Sequence, residues 1–400
     1  MKRTTSAGFW VSVMLALTSL AHAQKFVLLH TFKGADGAAP IADLARDASG
    51  NLYSATVFGG SRGTGTVFEL EHSGKGRVLH SFTGGSDGQG PASGLLLHGG
   101  ALYGTASGGA SGQYGSVFKL PPTGKLAVLH AFAGSPGDGA NPSSTLIADS
   151  KNNLFGTTYS GGTLNYGSVY KLDASGQETV LYSFAGGPDG TYPSSLVRDS
   201  SGNFYGVTQS GGDLACAPPV GCGTVFKLDP KGRMSILHSF TGPDGANPSG
   251  GLTPDGAGNF YGTTLAGGSF DQGTVFVLNI NGKERVLLNF SGGSDGGRPS
   301  GALTRDANGD FYGAATYGGN ITSYCPFGCG VIFKLKLTGK TWSETVLHSF
   351  NVTDGASPAA PLLLDRVTHT FYGVATAGGD VNCVMVDGEH GCGTLFKLTP

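Results

Sequence analysis

Seven aspartates recur in the motif Asp-Gly-x-x-Pro, and their spacing raises the question of a metal-binding ring. Several carboxylate oxygens at about 2.4 Å could together coordinate Ca²⁺. The motif also fits a turn in which Asp bonds to nearby backbone, Gly adopts positive φ and Pro starts a strand. We favour the turn, because equivalent residues on sheets packed about 10 Å apart are too distant to share one ion. These residues are Asp36, Asp87, Asp138, Asp189, Asp244, Asp295 and Asp354.

A second recurring position carries His or Tyr in six copies of a Val-Leu-His-Ser-Phe segment and Leu in the remaining copy. A histidine cluster is one interpretation. Recurrence at a single strand position favours a structural role instead. The residues are His30, His80, His130, Tyr182, His238, Leu288 and His348.

A search for known catalytic motifs finds no Ser nucleophile elbow, zinc-binding helix, phosphate-binding loop or EF-hand loop. The sequence therefore predicts no catalytic residue, no cofactor and no metal ligand. Paired carboxylates for glycoside hydrolysis depend on distances that the sequence does not give.

Residues that differ between the repeats are better candidates for a ligand site than residues that every repeat shares. Tyrosines near charged groups could stack on sugar rings and hydrogen-bond to their hydroxyls. The alternative is scattered, solvated loop residues. The candidates are Tyr114, Tyr159, Tyr166, Tyr192, Tyr317, Arg298, Asp213, Asp271 and Asp380, together with the cysteine-closed loops at residues 216–222, 325–329 and 383–392.

The six cysteines form three close pairs in sequence: Cys216 with Cys222, Cys325 with Cys329, and Cys383 with Cys392. In an oxidising compartment such pairs are expected to form local disulfides. A metal site is the weaker alternative, because no Cys-x-x-Cys spacing occurs and His390 is the only nearby imidazole.

The elements that would hold these residues belong to a unit repeated seven times. Each copy contains four apolar runs rich in β-branched and aromatic residues, bounded by Gly, Asp, Asn and Ser, which indicates four short strands. The copies are 50 to 60 residues long. Seven copies of this length with four strands each predict an all-β, seven-bladed β-propeller of four-stranded antiparallel blades. The seven Val-Leu-His-Ser-Phe segments end at Phe32, Phe82, Phe132, Phe184, Phe240, Phe290 and Phe350.

The ends of the repeat region indicate how the ring closes. Residues Phe26 to Phe32 match a fourth strand, and residues Gly393 to Leu398 match a third strand. The N-terminal strand should therefore complete the C-terminal blade and remove exposed sheet edges. An open solenoid is the alternative, but it would require atypical capping repeats.

Loop lengths distinguish the two ends of the predicted propeller. The fourth-to-first and second-to-third connections should emerge together and are the longer loops. The other connections are tight turns such as Asp199 to Asn203. Because binding residues usually lie on longer loops of a rigid scaffold, the long-loop face is our candidate.

The start of the chain resembles a secretory signal. Lys2 and Arg3 precede an apolar stretch and an Ala21-His22-Ala23 cleavage pattern, so we assign residues 1–23 to a signal peptide and residues 24–400 to the propeller. An uncleaved anchor is the alternative. Removal of residues 1–23 changes the formal net charge from −2 to −4, which leaves no basic surface for nucleic acid. We expect a secreted protein, periplasmic or extracellular, with no membrane insertion after cleavage.

Five motifs together carry a family resemblance: Gly-Thr-Val-Phe-Lys-Leu, Val-Leu-His-Ser-Phe, Asp-Gly-x-x-Pro, Gly-Asn-x-Tyr-Gly and Gly-Gly. In this order they resemble the GloVer-type tandem repeat of bacterial exported proteins, over about residues 26 to 398. The resemblance implies an extracellular or surface-associated protein and defines no catalytic residues.

Two functions follow as hypotheses. The first is a non-enzymatic propeller that recognises a glycan or an extracellular protein on its long-loop face. The alternative is a hydrolase or lyase acting on polysaccharide.

Overall fold

A computed structural model describes residues 24–41, 43–91, 93–109, 114–122, 124–385 and 390–400. The predicted signal peptide lies outside the described residues. These residues form seven antiparallel sheets and one short 3₁₀ helix, Gly187–Asp189. Within the same ranges, no helix has the length and apolar character needed to cross a membrane. The predicted seven-bladed propeller is confirmed.

The first strand in sequence, β1 (Lys25–Thr31), belongs to the last blade. Blade 1 contains β2 (Ala38–Pro40), β3 (Ala45–Arg46), β4 (Leu52–Phe58), β5 (Thr66–Leu70) and β6 (Gly76–Ser81). Blade 2 contains β7 (Leu96–His98), β8 (Ala101–Ala106), β9 (Ser116–Leu120) and β10 (Ala127–Ala131). Blade 3 contains β11 (Gly139–Pro142), β12 (Ile147–Ala148), β13 (Leu154–Gly161), β14 (Ser168–Leu172) and β15 (Glu178–Ser183).

The second half of the chain repeats this plan. Blade 4 contains β16 (Thr191–Arg198), β17 (Phe204–Ser210), β18 (Thr224–Leu228) and β19 (Met234–Ser239). Blade 5 contains β20 (Leu252–Pro254), β21 (Asn259–Thr264), β22 (Thr274–Asn279) and β23 (Glu284–Asn289). Blade 6 contains β24 (Gly297–Pro299), β25 (Thr304–Arg305), β26 (Phe311–Tyr317), β27 (Val331–Thr338) and β28 (Thr341–Ser349). Blade 7 contains β29 (Leu363–Asp365), β30 (Thr370–Ala375), β31 (Thr394–Thr399) and β1.

The core lies between the blades and is built from pairs of aromatic rings. The Phe that ends each Val-Leu-His-Ser-Phe segment is fully buried. It meets the third-strand ring of the following blade edge-on, for example Phe32 with Phe68 at 5.1 Å and Phe240 with Phe276 at 5.1 Å between centroids. Edge-to-face contact is a favoured geometry for buried aromatic rings. The two most regular aromatic positions of the repeat are therefore the ones that join neighbouring blades.

Each outer strand carries a β-bulge beside the recurring His or Tyr position. In blade 1, Val67 pairs with His80 and Phe68 pairs with Val78, so Leu79 is the extra residue. The equivalent shift occurs in all seven blades. Because a bulge changes the direction of the side chains around it, the repeat can turn this position toward the loop that follows.

The ring closes through β1. Lys25 pairs with Thr399 and His30 pairs with Leu395, in antiparallel register with β31. β31 continues to β30 and β29, which completes a four-stranded blade. The predicted closure by the N-terminal strand is confirmed.

Candidate functional site

The longer loops lie together at one end of the ring, as the sequence predicts. In blade 1 the backbone N–H of Gly60, in the second-to-third connection, donates to the carbonyl of Gly34 in the fourth-to-first connection at 2.8 Å. The loops approach so closely that a Cβ on Gly59 would lie 2.6 Å from the carbonyl carbon of Gly37. The Gly-Gly pair therefore lets two loops of one blade share a surface.

The seven recurring aspartates form turns, as predicted. Each side chain accepts a backbone N–H from a residue three to five positions earlier. Representative N···O distances are 2.8 Å from Lys33 to Asp36 and 2.8 Å from Thr241 to Asp244. These bonds fix each loop before the innermost strand begins.

The His and Tyr side chains of the outer strands contact these aspartates one blade at a time. Nitrogen-to-oxygen distances are 2.9 Å for His30–Asp36, 3.0 Å for His80–Asp87, 2.8 Å for His238–Asp244, 3.1 Å for His348–Asp354 and 3.5 Å for His130–Asp138. Tyr182 donates to Asp189 at 2.9 Å. The histidines therefore do not converge on one point, which agrees with a structural role for most of them. Although burial opposes ionisation, hydrogen bonds from His30 and Lys33 lower the pKa of Asp36.

The predicted tyrosines of blades 2 to 4 pack against neighbouring loops. Tyr159 and Tyr192 stack with ring centroids 4.5 Å apart. Tyr114 lies against Gly134 and Tyr166 against Gly186, where an added Cβ would come within 3.0 Å and 2.8 Å of the rings. Tyr114, Tyr159 and Tyr166 remain partly exposed on the long-loop face. They belong to loops of different blades, and none of them lines the pocket between blades 6 and 7 that is described below.

Three predicted acidic candidates hold their own loops. Asp213 accepts the N–H of Ala215 at 2.9 Å, Asp271 that of Gly267 at 2.8 Å, and Asp380 that of Asn382 at 3.1 Å. The bonds of Asp213 and Asp380 are Asx-type turns, a common role for Asp in loops, whereas Asp271 accepts from a residue four positions earlier in its own loop. The structure therefore assigns a loop-forming role to each of these carboxylates.

The structure joins the three cysteine pairs. The Cα–Cα distances are 5.6 Å for Cys216–Cys222, 5.1 Å for Cys325–Cys329 and 5.6 Å for Cys383–Cys392. All three values lie in the range expected for disulfides. Each bridge closes a loop that follows the second strand of its blade, on the long-loop face.

One predicted residue, Tyr317, lines a pocket between blades 6 and 7, and the predicted Arg298 lies beside its ring. The guanidinium carbon of Arg298 lies 5.4 Å from the centroid of Tyr317, and Tyr317 stacks with Phe327 at 5.5 Å. Tyr324 meets His390 edge-on at 5.0 Å. The cavity has a volume of 690 Å³. Its described lining also includes Ser323, Pro326, Val352, Ala356, Ser357, Ala377 and Cys325 of the Cys325–Cys329 loop.

Sequence reasoning missed Tyr324, Phe327 and His390. It selected the disulfide loops but did not single out Phe327, between Cys325 and Cys329, or Tyr324, directly before Cys325. The signal available in the sequence was two large aromatic residues in or next to a short cysteine-closed loop. In the structure, Phe327 is 68% exposed and Tyr324 is 53% exposed. Exposed aromatic side chains held by a short disulfide loop are a stronger binding signal than tyrosines that pack on their own repeat.

Sequence reasoning also missed Asp43, which lies in the central channel. Its position directly precedes the inner-strand Leu, and the other six repeats carry Gly, Thr, Ser, Gly, Ala or Pro there. Thr145 donates to its Oδ2 at 2.7 Å from across Gly94. Burial raises the pKa of Asp43. Its carboxyl group is the one ionisable side chain among the described residues that line this 390 Å³ channel.

Three glutamates at one outer-strand position have unusual electrostatics. Burial raises the pKa of Glu178, Glu284 and Glu344 to about 7. A neighbouring loop aspartate, Asp138, Asp244 or Asp295, raises each of them further. The nearby imidazoles of His130 and His238 partly oppose the shift for Glu178 and Glu284.

Comparison with solved structures shows the propeller fold. A virginiamycin B lyase from Staphylococcus aureus superposes with a TM-score of 0.59 at 12% identity, over 94% of this chain and 99% of that one. The extracellular domain of a hybrid two-component system from B. thetaiotaomicron gives 0.56 at 13% identity, over 94% of this chain and 41% of that one. At these identities the likeness concerns the fold alone, and this chain spans less than half of the second protein.

Comparison of sequence gives the family. No curated protein matches the chain. The model of the Gloeobacter/Verrucomicrobia repeat matches twice, over residues 16–218 and 217–400, and so covers nearly the whole chain. This match agrees with the resemblance that the repeated motifs suggest. The chain belongs to the Gloeobacter/Verrucomicrobia repeat family.

Proposed function

We propose that this protein is an exported, non-enzymatic binding protein that recognises a glycan in the pocket between blades 6 and 7. The observation that carries the proposal is the pair of exposed aromatic rings, Phe327 inside the Cys325–Cys329 loop and Tyr324 directly before it. Sugar rings bind on such faces through their C–H groups while their hydroxyls reach neighbouring polar atoms. The three disulfides support export, because disulfides persist in oxidising compartments.

The surroundings of the two rings provide the polar part of a sugar site. His390 lies edge-on to Tyr324, and Ser323 and Ser357 contribute hydroxyl groups to the lining. Arg298 lies behind Tyr317, which stacks on Phe327. This stack fixes the ring of Phe327 before ligand arrives, so less conformational freedom is lost on binding.

A glycan array probed with residues 24–400, followed by calorimetry on the best ligand, tests the proposal. Phe327→Ala and Tyr324→Ala should each weaken binding by about two- to tenfold, since one stacking contact contributes about 0.5–1.5 kcal/mol. Tyr114→Ala is the matched control, because Tyr114 is an exposed aromatic residue on the same face of blade 2. Equal affinity of Phe327→Ala, Tyr324→Ala and the unmodified protein would contradict this site. A reducing-end assay on bound polysaccharides distinguishes binding from the hydrolase or lyase alternative.

A further inference from the structure

One position in each outer strand covers the His–Asp pair of the preceding blade. It lies four residues before the recurring His, Tyr or Leu. Phe26 at this position stacks on His348 with centroids 3.8 Å apart, and a Cβ on Gly76 would lie 3.5 Å from Cε1 of His30. The seven residues at this position are Phe26, Gly76, Leu126, Glu178, Met234, Glu284 and Glu344. Four repeats thus cover the pair with an apolar residue or Gly, and three use Glu.

In two of these clefts the covering Glu completes a cluster of possible metal ligands. His130, Asp138 and Glu178 offer three ligand atoms within 4.8 Å of one another, between blades 2 and 3. His238, Asp244 and Glu284 do the same between blades 4 and 5. In the third cleft, Glu344 faces Asp295, but Leu288 replaces the His. The chain therefore contains two matched clusters and one that lacks the imidazole.

Hydrogen bonding within the protein leaves these clusters incomplete. Oε1 of Glu178 and Oε1 of Glu284 are buried without a hydrogen-bond partner among the described residues. Nε2 of His130 is also buried without a hydrogen-bond partner among the described residues, since it lies 3.5 Å from Oδ2 of Asp138. A buried, unpartnered carboxylate beside a second carboxylate is costly unless a proton or a cation compensates it.

We propose that the two clusters are divalent metal sites, in which His130, Asp138 and Glu178, and His238, Asp244 and Glu284, each bind one first-row transition ion such as Zn²⁺. One imidazole and two carboxylates suit this class of ion, whereas Ca²⁺ prefers six or more oxygen ligands. The aspartates are already positioned for the task. Asp138 accepts backbone N–H groups of Ala133 and Gly139 at 2.6 Å each, and Asp244 accepts that of Thr241 at 2.8 Å.

Such an ion would join neighbouring blades. Each site takes His and Asp from one blade and its following loop, and takes Glu from the outer strand of the next blade. Because the ion binds the folded ring and not the unfolded chain, its binding should raise the melting temperature. Three protein ligands leave one coordination position for water.

The test measures Zn²⁺ uptake by the chelator-treated protein, residues 24–400, using calorimetry and metal analysis after gel filtration. We expect two equivalents for the unmodified protein, one for Glu178→Gln, one for Glu284→Gln and none for the double variant. Glu344→Gln is the matched control and should retain two equivalents. Gln keeps the size of Glu and removes a buried charge, so the variants should fold, which circular dichroism checks.

A gain-of-site variant provides a second test. Leu126 occupies the repeat position of Glu178 and Glu284, next to the pair of His80 and Asp87 that lie 3.0 Å apart, so Leu126→Glu should add a third equivalent of Zn²⁺. Co²⁺ in place of Zn²⁺ should give a visible absorption spectrum whose intensity follows the same stoichiometry. The proposal is overturned if the unmodified protein takes up no Zn²⁺, or if the Glu178→Gln/Glu284→Gln double variant still takes up two equivalents.

Discussion

The contact between His30 and Asp36 links the closing strand β1 to the loop that enters blade 1, and its removal should measurably destabilise the ring. Asp36 accepts Nε2–H of His30 at 2.9 Å and the backbone N–H of Lys33 at 2.8 Å. The two side chains are 20% and 26% exposed. Each hydrogen bond contributes about 0.5–1.5 kcal/mol in such a setting. Asp36→Ala should therefore lower the free energy of unfolding by about 1–3 kcal/mol.

A double-mutant cycle separates the two contacts. His30→Leu imitates the repeat that naturally carries Leu288, and Asp36→Asn keeps an oxygen that can accept from Lys33. The coupling energy between these two substitutions should be about 0.5–1.5 kcal/mol, measured by urea unfolding at neutral pH. Because the pKa of Asp36 is lowered in the folded protein, this contribution is present above the ordinary Asp pKa. It should disappear as the pH falls through the lowered value.

A coupling energy below about 0.3 kcal/mol would refute the reasoning, since it would mean that the two side chains act independently. A coupling that stays constant down to pH 2 would refute the electrostatic part, because protonated Asp36 cannot accept a charge-assisted bond. His80→Leu is a useful companion, since His80 makes the equivalent contact at 3.0 Å away from the closing strand.

Three further predictions concern other parts of the fold. Glu344→Gln should stabilise the protein at pH 8 more than at pH 5. The pKa of Glu344 is raised to about 7 in the folded protein, so the folded protein loses stability as the pH rises from about 4.5 to 7, and Gln does not ionise. Equal effects of the substitution in urea titrations at both pH values would contradict this. Cys216→Ser/Cys222→Ser should cost about 2 kcal/mol without changing the circular dichroism spectrum, and thiol titration of the unreduced, unfolded parent should detect no free cysteine. Gly94→Ala should destabilise the protein by about 1–3 kcal/mol, because the added Cβ would lie 2.5 Å from the Cβ of Asp43. Gly85→Ala is the control and should be neutral, since no atom lies nearer than 3.3 Å to its Cβ. Equal melting temperatures for the two variants would argue against close packing in the channel.

The repeat made the architecture predictable from sequence. Aromatic positions such as Phe240 and Phe276 recur because every blade needs the same contact with its neighbour. The aspartate turns were predictable for the same reason, since Asp244 and Thr241 are close in sequence and their bond is local. The glycine pairs likewise mark places where two loops of one blade approach each other.

Contacts between blades were not predictable, because they depend on how the sheets are arranged around the ring. Glu178 lies one full repeat after His130, and only blade packing brings them together. Asp43 and Thr145 are two repeats apart and meet over Gly94 at the channel wall. The aromatic pocket also depends on a contact between blades, since Phe327 belongs to blade 6 and His390 to blade 7.

The pairing of β1 with β31 has a consequence for how the protein folds. Lys25 and Thr399 are partners, so this contact spans nearly the whole sequence. Closing a loop of that length costs about 5 kcal/mol of chain entropy, far more than a local hairpin. During synthesis, β1 emerges first and has no partner until the final strand appears. Refolding should therefore show blade formation first and ring closure as a late, slow phase. The intermediate should carry an unpaired strand edge that makes it prone to aggregate.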